Sequence, residues 1–318
     1  MMTRHSTCVA LLLTSLLALP AAAQSRGAPP PEVVPLVTQD GVQLKITYFP
    51  SAERRGTAGA KQAAPVILLH DHKETRGVFS SLAQRLQATG SGEGGGPSFA
   101  SVTVDLRGHG DSTRQVFPNG ETITLDAAKL HREDFLAMVV MDMAAVRSFL
   151  VGKNDAGELN LNKLCLVGSG MGASVAANWA LQDWSWPPLA IGKQGQDVKA
   201  VVSISPRWTF NGLSFQLPMR DRPLKENLAW MLVYGAESTK VASDVRRIEK
   251  QLERFHPEAS AAAGAPGRLQ AVALQSKLQG STLLRQIGAP IEDQIVGFLS
   301  EHVGKQQLPW INRRGRLP

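Results

Sequence analysis

A run of apolar residues, Leu164-Cys-Leu-Val167, ends in Gly168-Ser-Gly-Met-Gly172, and a stretch of mostly small residues follows as far as Ala180. That order reads as strand, glycine-flanked turn and helix. It is the G-x-nucleophile-x-G setting, which lifts one side chain clear on a strained backbone for attack on a carbonyl. The turn needs small residues two before and two after its centre, because strand and helix pack closely there. Centred on Gly170, those places are Gly168 and Gly172, which fit. Centred on Ser169, they are Val167 and Met171, which would clash. The reacting place therefore falls on Gly170, which has no reacting atom, with Ser169 as the alternative nucleophile. A second group is His70-Asp-His72, at the end of another apolar run. Its imidazoles and carboxylate could act as acid or base, or clip a metal. Residues this close at a strand end need a further, distant ligand, and none is evident, so no metal is expected.

The elements that must hold these residues follow from periodicity. Residues 33–38 and 42–48 alternate about Asp40-Gly41 as a β-hairpin. Residues 65–69, 101–105, 198–205, 228–234 and 269–274, with the run into Gly168, read as strands, several of them continuous apolar runs suited to burial on both faces. Helical spacing predicts helices near 77–89, 130–150, 241–255 and 290–303. Residues 51–64 and 256–267 read as connections, 90–97 as a glycine-rich linker and 154–158 as a polar turn. Strands alternating with helices predict an α/β fold, a mainly parallel sheet with helices on both faces. Right-handed crossovers then gather the site at the strands' C-terminal edge. The link between 205 and 228 is too short for a large cap domain, so any pocket is expected to be open.

Asp105-Leu-Arg-Gly-His-Gly-Asp-Ser112 follows the strand at 101–105. With the turn at Gly168–Gly172 and His70 at the end of its strand, this segment resembles the D-x-R-G-H-G-x-S pattern of the α/β-hydrolase family, over roughly residues 33–304. The resemblance implies an α/β-hydrolase fold in which Asp105, Arg107, Gly108, His109, Gly110 and Ser112 shape loops behind the site. It also implies where a serine esterase or lipase of this kind would keep its machinery. The oxyanion amides would be those of Met171 and of the loop after His70. Asp71 stands in that loop, where a glycine is usual, and its carboxylate would repel a developing oxyanion. The acid would follow the strand at 228–234, where Glu237 is the nearest match. The histidine would follow the strand at 269–274, but residues 275–282 contain none; His256 precedes that strand and His302 sits in the last helix.

A hydroxyl without a nearby base is a poor nucleophile. The expectation is a catalytically impaired relative, a pseudoenzyme that binds a small molecule or a protein partner. One alternative is an ester or acyl hydrolase using Ser169, or Ser174, as a non-standard nucleophile. Another is non-hydrolytic acid–base chemistry by His70, His72 or Asp71. Trp184, Trp186, Trp208, Phe210 and Phe215 fall on loops, where they line a pocket for an apolar or sugar ligand or pack those loops down.

Composition bounds the rest. A positive start, a short apolar run and Ala21-Ala-Ala23 read as a signal peptide over 1–23, followed by a flexible stretch at 24–32. The protein is expected to be exported, to a periplasm or beyond the cell, with no membrane-spanning segment after cleavage. Of two cysteines, Cys8 leaves with the leader; Cys165 alone cannot form an internal disulfide and reads as a buried apolar residue. The net charge of +7 is scattered except at Arg313-Arg-Gly-Arg316, so 305–318 reads as a basic C-terminal tail weakly drawn to anionic surfaces. No nucleic-acid motif accompanies it, and no cofactor is required.

Overall fold

The computed structural model describes residues 28–90, 96–187, 192–256 and 267–313. The expected leader, most of the linker at 90–97 and residues 314–318 of the expected tail lie outside these residues. In chain order the elements are β1 (Glu32–Val37), β2 (Val42–Phe49), β3 (Ala64–Leu69), α1 (Ser80–Thr89), β4 (Phe99–Asp105), β5 (Arg114–Val116) and β6 (Thr122–Thr124). Helix α2 (Arg132–Asp155), β7 (Leu164–Ser169), α3 (Met171–Ser185), β8 (Val198–Ile204), β9 (Thr209–Phe210) and β10 (Leu213–Ser214) follow. The chain continues through α4 (Arg222–Asn227), β11 (Ala229–Gly235), α5 (Thr239–Leu252), β12 (Leu269–Leu274), α6 (Gly280–Ile287) and α7 (Ala289–Leu299).

Among the described residues one sheet of ten strands runs β12-β11-β8-β7-β3-β4-β2-β5-β6, with β1 paired to β2. From β12 to β4 every pairing is parallel; β2 joins β4 antiparallel. Strands β3, β4, β7 and β11 are buried along their whole length because both faces of the sheet are covered there. In β7, Leu164 and Leu166 face α2 and α3, while Cys165 and Val167 face α1, α6 and α7. Burial pushes the Cys165 thiol up to about 12, which leaves it inert as a nucleophile. The link from β8 to β11 holds only the β9–β10 hairpin and α4, so there is no large cap domain.

Three features depart from the periodicity. The chain expected as a loop after β12 turns into α6, whose Leu283 and Leu284 close one core layer. Helix α2 runs on to Asp155 and carries a π-turn at Met138–Asp142, which places the Asp142 carboxylate wholly inside. The expected tail is a strap over residues 308–313. Asn160, Asn162 and Asn154 donate to the carbonyls of Leu308, Pro309 and Ile311, and Arg313 pairs with the buried Asp197 at 2.5 Å.

Candidate functional site

Strands β3, β7 and β8 lie side by side, with Leu69 opposite Gly168 and Ser169 opposite Ile204. Their C-terminal ends therefore open onto one edge, at the point where the chain order reverses about β3. The turn after β7 has Gly170 at φ +49°, ψ −106°, a conformation glycine takes without strain. A Cβ at Gly168 would overlap the backbone of Gly172, and one at Gly172 would overlap the Leu69 carbonyl. Backbone against backbone leaves no room at either flank.

The space in front of Gly170 is filled by Asp71. The Met171 amide donates to Asp71 Oδ1 at 2.7 Å, and the His72 amide donates to the same oxygen at 2.7 Å. These are the amide after the elbow's centre and one from the loop after β3, the pair that would receive an oxyanion. Asp71 Oδ2 meets Arg207 Nη2 at 3.3 Å. A Cβ on Gly170 would overlap this carboxylate, and a Cβ on Gly280 (φ +60°) would lie 3.5 Å from Asp71 Oδ2 and 3.1 Å from Ser169 Oγ. Two glycines thus face one carboxylate. A surface cavity of about 310 Å³ reaches the loop after β3, where Lys73, Glu74, Thr75 and His109 line it.

Neighbouring polar groups hold this arrangement. Glu74 accepts from the Asp71 amide at 3.1 Å and from the Ser281 hydroxyl, bridging the loop after β3 to α6. Where the resemblance implies a histidine, the Gln279 amide donates to the Gly235 carbonyl at 2.8 Å and accepts from Ser205 Oγ at 2.7 Å. Ser205 Oγ in turn accepts from the Gly280 amide at 2.8 Å. Gln279 therefore ties together the ends of β8, β11 and β12 with neutral groups. None of Arg207, Glu74, Gln279 or Gly280 stood out in the sequence; the one available signal was a glycine in a loop that lacked a histidine.

The remaining candidates are not brought together. Ser169 and Ser174 are wholly buried, and neither hydroxyl has a hydrogen-bond partner among the described residues. Glu237 is exposed in the turn after β11, held by its own amide on the Ser276 carbonyl. His70 is buried with both ring nitrogens used: Nδ1 donates to the Asp71 carbonyl at 2.7 Å and Nε2 accepts from the Leu106 amide at 3.2 Å. Burial then pushes its pKa down to about 3, so it is a neutral spacer. His72 packs on His109, Phe135 and Phe210, and burial lowers its pKa too. With His70 spent, a clip by His70, Asp71 and His72 cannot form, and no metal-binding cluster of three or more such residues occurs among the described residues.

The Asp105–Ser112 segment is a brace buried at Asp105, Arg107, His109 and Ser112. Asp105 accepts from the Arg76 amide at 2.6 Å and the Asp111 amide at 2.9 Å and pairs with the Arg76 guanidinium, with Gly110 pressed against it. Arg107 spans Asp142 at 2.7 Å and Asp40 at 2.7 Å. Gly108 accommodates φ +76°, its amide donating to the Ser112 carbonyl at 2.8 Å. His109 Nδ1 lies 2.9 Å from the Arg107 carbonyl, and Ser112 Oγ accepts from the Lys45 amide at 2.8 Å. Trp184, expected on a loop, lies in the last turn of α3, its Nε1 donating to the Val198 carbonyl at 3.0 Å, and Trp186 caps that helix and meets Trp179 edge-on at 5.8 Å.

No curated protein matches the chain. Among solved structures it is similar in fold to an esterase of Pyrococcus furiosus (TM-score 0.53, 16% identity, 86% of this chain and 91% of that one). A putative alpha/beta hydrolase of Agrobacterium tumefaciens gives TM-score 0.53 at 15% identity, over 87% of this chain and 100% of the other. An esterase of Exiguobacterium antarcticum gives TM-score 0.50 at 14% identity, over 84% and 99%. The family model described as "Alpha/beta hydrolase family" matches residues 66–308. With β3, the elbow and the strands that follow all inside that span, the chain belongs to the alpha/beta hydrolase family.

Proposed function

We propose that this chain is an exported member of its family that has given up triad hydrolysis and acts by binding a ligand or partner. One observation carries the reading: the Asp71 carboxylate accepts from both Met171 and His72 amides, where an acyl-transfer enzyme must hold an oxyanion. A fixed negative charge there opposes the charge that develops in the transition state. Two further points support it. Gly170 offers no nucleophile, and Gln279 and Gly280 offer no base where one would stand. The Ser169 alternative gains nothing, since its hydroxyl is buried and has no base beside it. Export rests on the leader-like residues 1–23.

The test is a fluorophosphonate probe applied to the purified mature protein. The reading predicts no covalent labelling. Labelling that disappears in Ser169→Ala would overturn it in favour of the non-standard hydrolase.

A further inference from the structure

Arg207 and Arg247 are guanidinium groups beside Phe210 and Trp208 that the fold leaves largely unspent among the described residues. Arg207 follows β8, and its guanidinium lies 5.0 Å from the Phe210 ring centre. Its one polar contact among the described residues is the single 3.3 Å approach to Asp71 Oδ2, and its side chain is 40% exposed. A guanidinium and a carboxylate that satisfy each other meet in two parallel bonds of about 2.7–2.9 Å. The loose contact leaves most of the fork's five donors available. Arg247, on α5, lies 3.8 Å over the Trp208 ring and makes no hydrogen bond or ion pair among the described residues. Trp208 and Phe210 belong to one short segment leading through β9, so neighbouring rings of a single hairpin hold both guanidinium groups nearby. A cation–π contact of this kind uses none of the guanidinium N–H donors. Buried arginines elsewhere are treated differently: Arg107 is committed to Asp142 and Asp40, and Arg313 to Asp197.

We propose that the Arg207–Phe210 and Arg247–Trp208 stacks form a binding site for the carboxylate of a small organic acid, with Asp71 as its internal competitor. This rests on the binding function proposed above and names its ligand class. The choice of carboxylate follows from what the site already holds. Asp71 presents a carboxylate to Arg207 from inside, and a planar two-oxygen group matches the planar fork. Because Asp71 Oδ1 is anchored by the Met171 and His72 amides, the Asp71 carboxylate stays in place while its other oxygen yields Arg207. A ligand's apparent affinity is therefore lowered by the fraction of time Arg207 spends on Asp71.

The test is calorimetric titration of the full mature protein with sodium phenylacetate, and with inorganic phosphate as a second arm. Thermal melts of each variant establish that it is folded. Asp71→Asn keeps an acceptor for both amides and removes the charge that competes for Arg207, so phenylacetate should bind roughly fivefold tighter or better than to wild type. Arg207→Met in the Asp71→Asn background should weaken binding by about tenfold or more, and Arg247→Met by about threefold. Phosphate should bind Asp71→Asn more weakly than phenylacetate does. The proposal is overturned if Asp71→Asn binds no tighter than wild type, if the arginine substitutions leave affinity unchanged, or if phosphate binds as well as phenylacetate. Those results would leave the fluorophosphonate test untouched, so loss of this inference and loss of the binding reading are told apart.

Discussion

Asp71 Oδ1 lies 2.7 Å from the amide nitrogen of Met171, so the residue after the elbow's centre donates its hydrogen bond to a side chain of the same protein. In an acyl-transfer enzyme that amide waits for charge to develop on a substrate oxygen. Here the acceptor is a carboxylate covalently tethered to the chain itself. The elbow's geometry survives because Gly168, Gly170 and Gly172 still let β7 and α3 meet closely, while the space it served has passed to Asp71.

Restoring a nucleophile alone should not restore hydrolysis. In Gly170→Ser combined with Asp71→Gly, the hydroxyl has room and both amides are released, yet residues 275–282 supply no histidine. Stopped-flow mixing with p-nitrophenyl acetate should show no acyl burst above the wild-type trace. A stoichiometric burst would mean that another group serves as base.

The bottom of the sheet should titrate. Asp183 is wholly buried; its Oδ2 accepts from the Asp197 and Val198 amides, and its Oδ1 has no partner among the described residues. Burial first, and the neighbouring Asp197 charge second, push its pKa up to about 6. Between about pH 4 and 6 the folded state then holds a proton that the unfolded chain has lost, so this group's contribution falls as pH rises through that window and is level above it. Asp183→Asn keeps the acceptor and removes the buried charge. It should stabilise the protein by about 1–3 kcal/mol at pH 8 and leave stability nearly unchanged at pH 4, read by urea denaturation at the two pH values.

Arg107 and Asp142 should be among the costliest positions to disturb. The pair is buried at 2.7 Å, and the Asp142 carboxylate also accepts from the Arg107 amide at 3.0 Å. Asp142→Ala leaves a buried guanidinium with only Asp40, and should cost about 3–5 kcal/mol in the same assay.

Arg313 should behave as part of the fold. Arg313→Met removes its pairing with Asp197, while Arg147 at 3.1 Å and Lys193 at 3.2 Å still face that carboxylate. The loss should be about 2–4 kcal/mol, against near zero for a solvated tail residue.

Much of this molecule could be read in its sequence, for physical reasons that also mark where reading stopped. Strands such as β3 and β7 bury both faces, so their apolar runs announce themselves, and Gly168 and Gly172 declare a close backbone approach that no other residue permits. Helix α6 escaped because its apolar residues, Leu283 and Leu284, fall in a segment opening with Gln279 and Gly280, which suggest a loop. The strap at 308–313 escaped because what holds it is long-range: Asn154, Asn160 and Asn162 look like turn residues until their carbonyl partners arrive from the far end of the chain. Asp71 was visible as a charge hostile to an oxyanion, but its seat on both amides depends on the fold. Arg207 carries no local pattern at all, since its role comes from Phe210 on one side and Asp71 on the other.

The central claim, that Asp71 occupies the place a side chain at 170 would need, is tested most directly by a double-mutant cycle. Unfolding free energies would be measured for wild type, Gly170→Ser, Asp71→Gly and the double variant. Gly170→Ser alone should cost about 2–4 kcal/mol, from overlap with the carboxylate together with a non-glycine residue at φ +49°. With Asp71→Gly already in place the same change should cost at least about 1 kcal/mol less, a coupling well outside the additivity expected of independent sites. Equal costs in the two backgrounds would contradict the account.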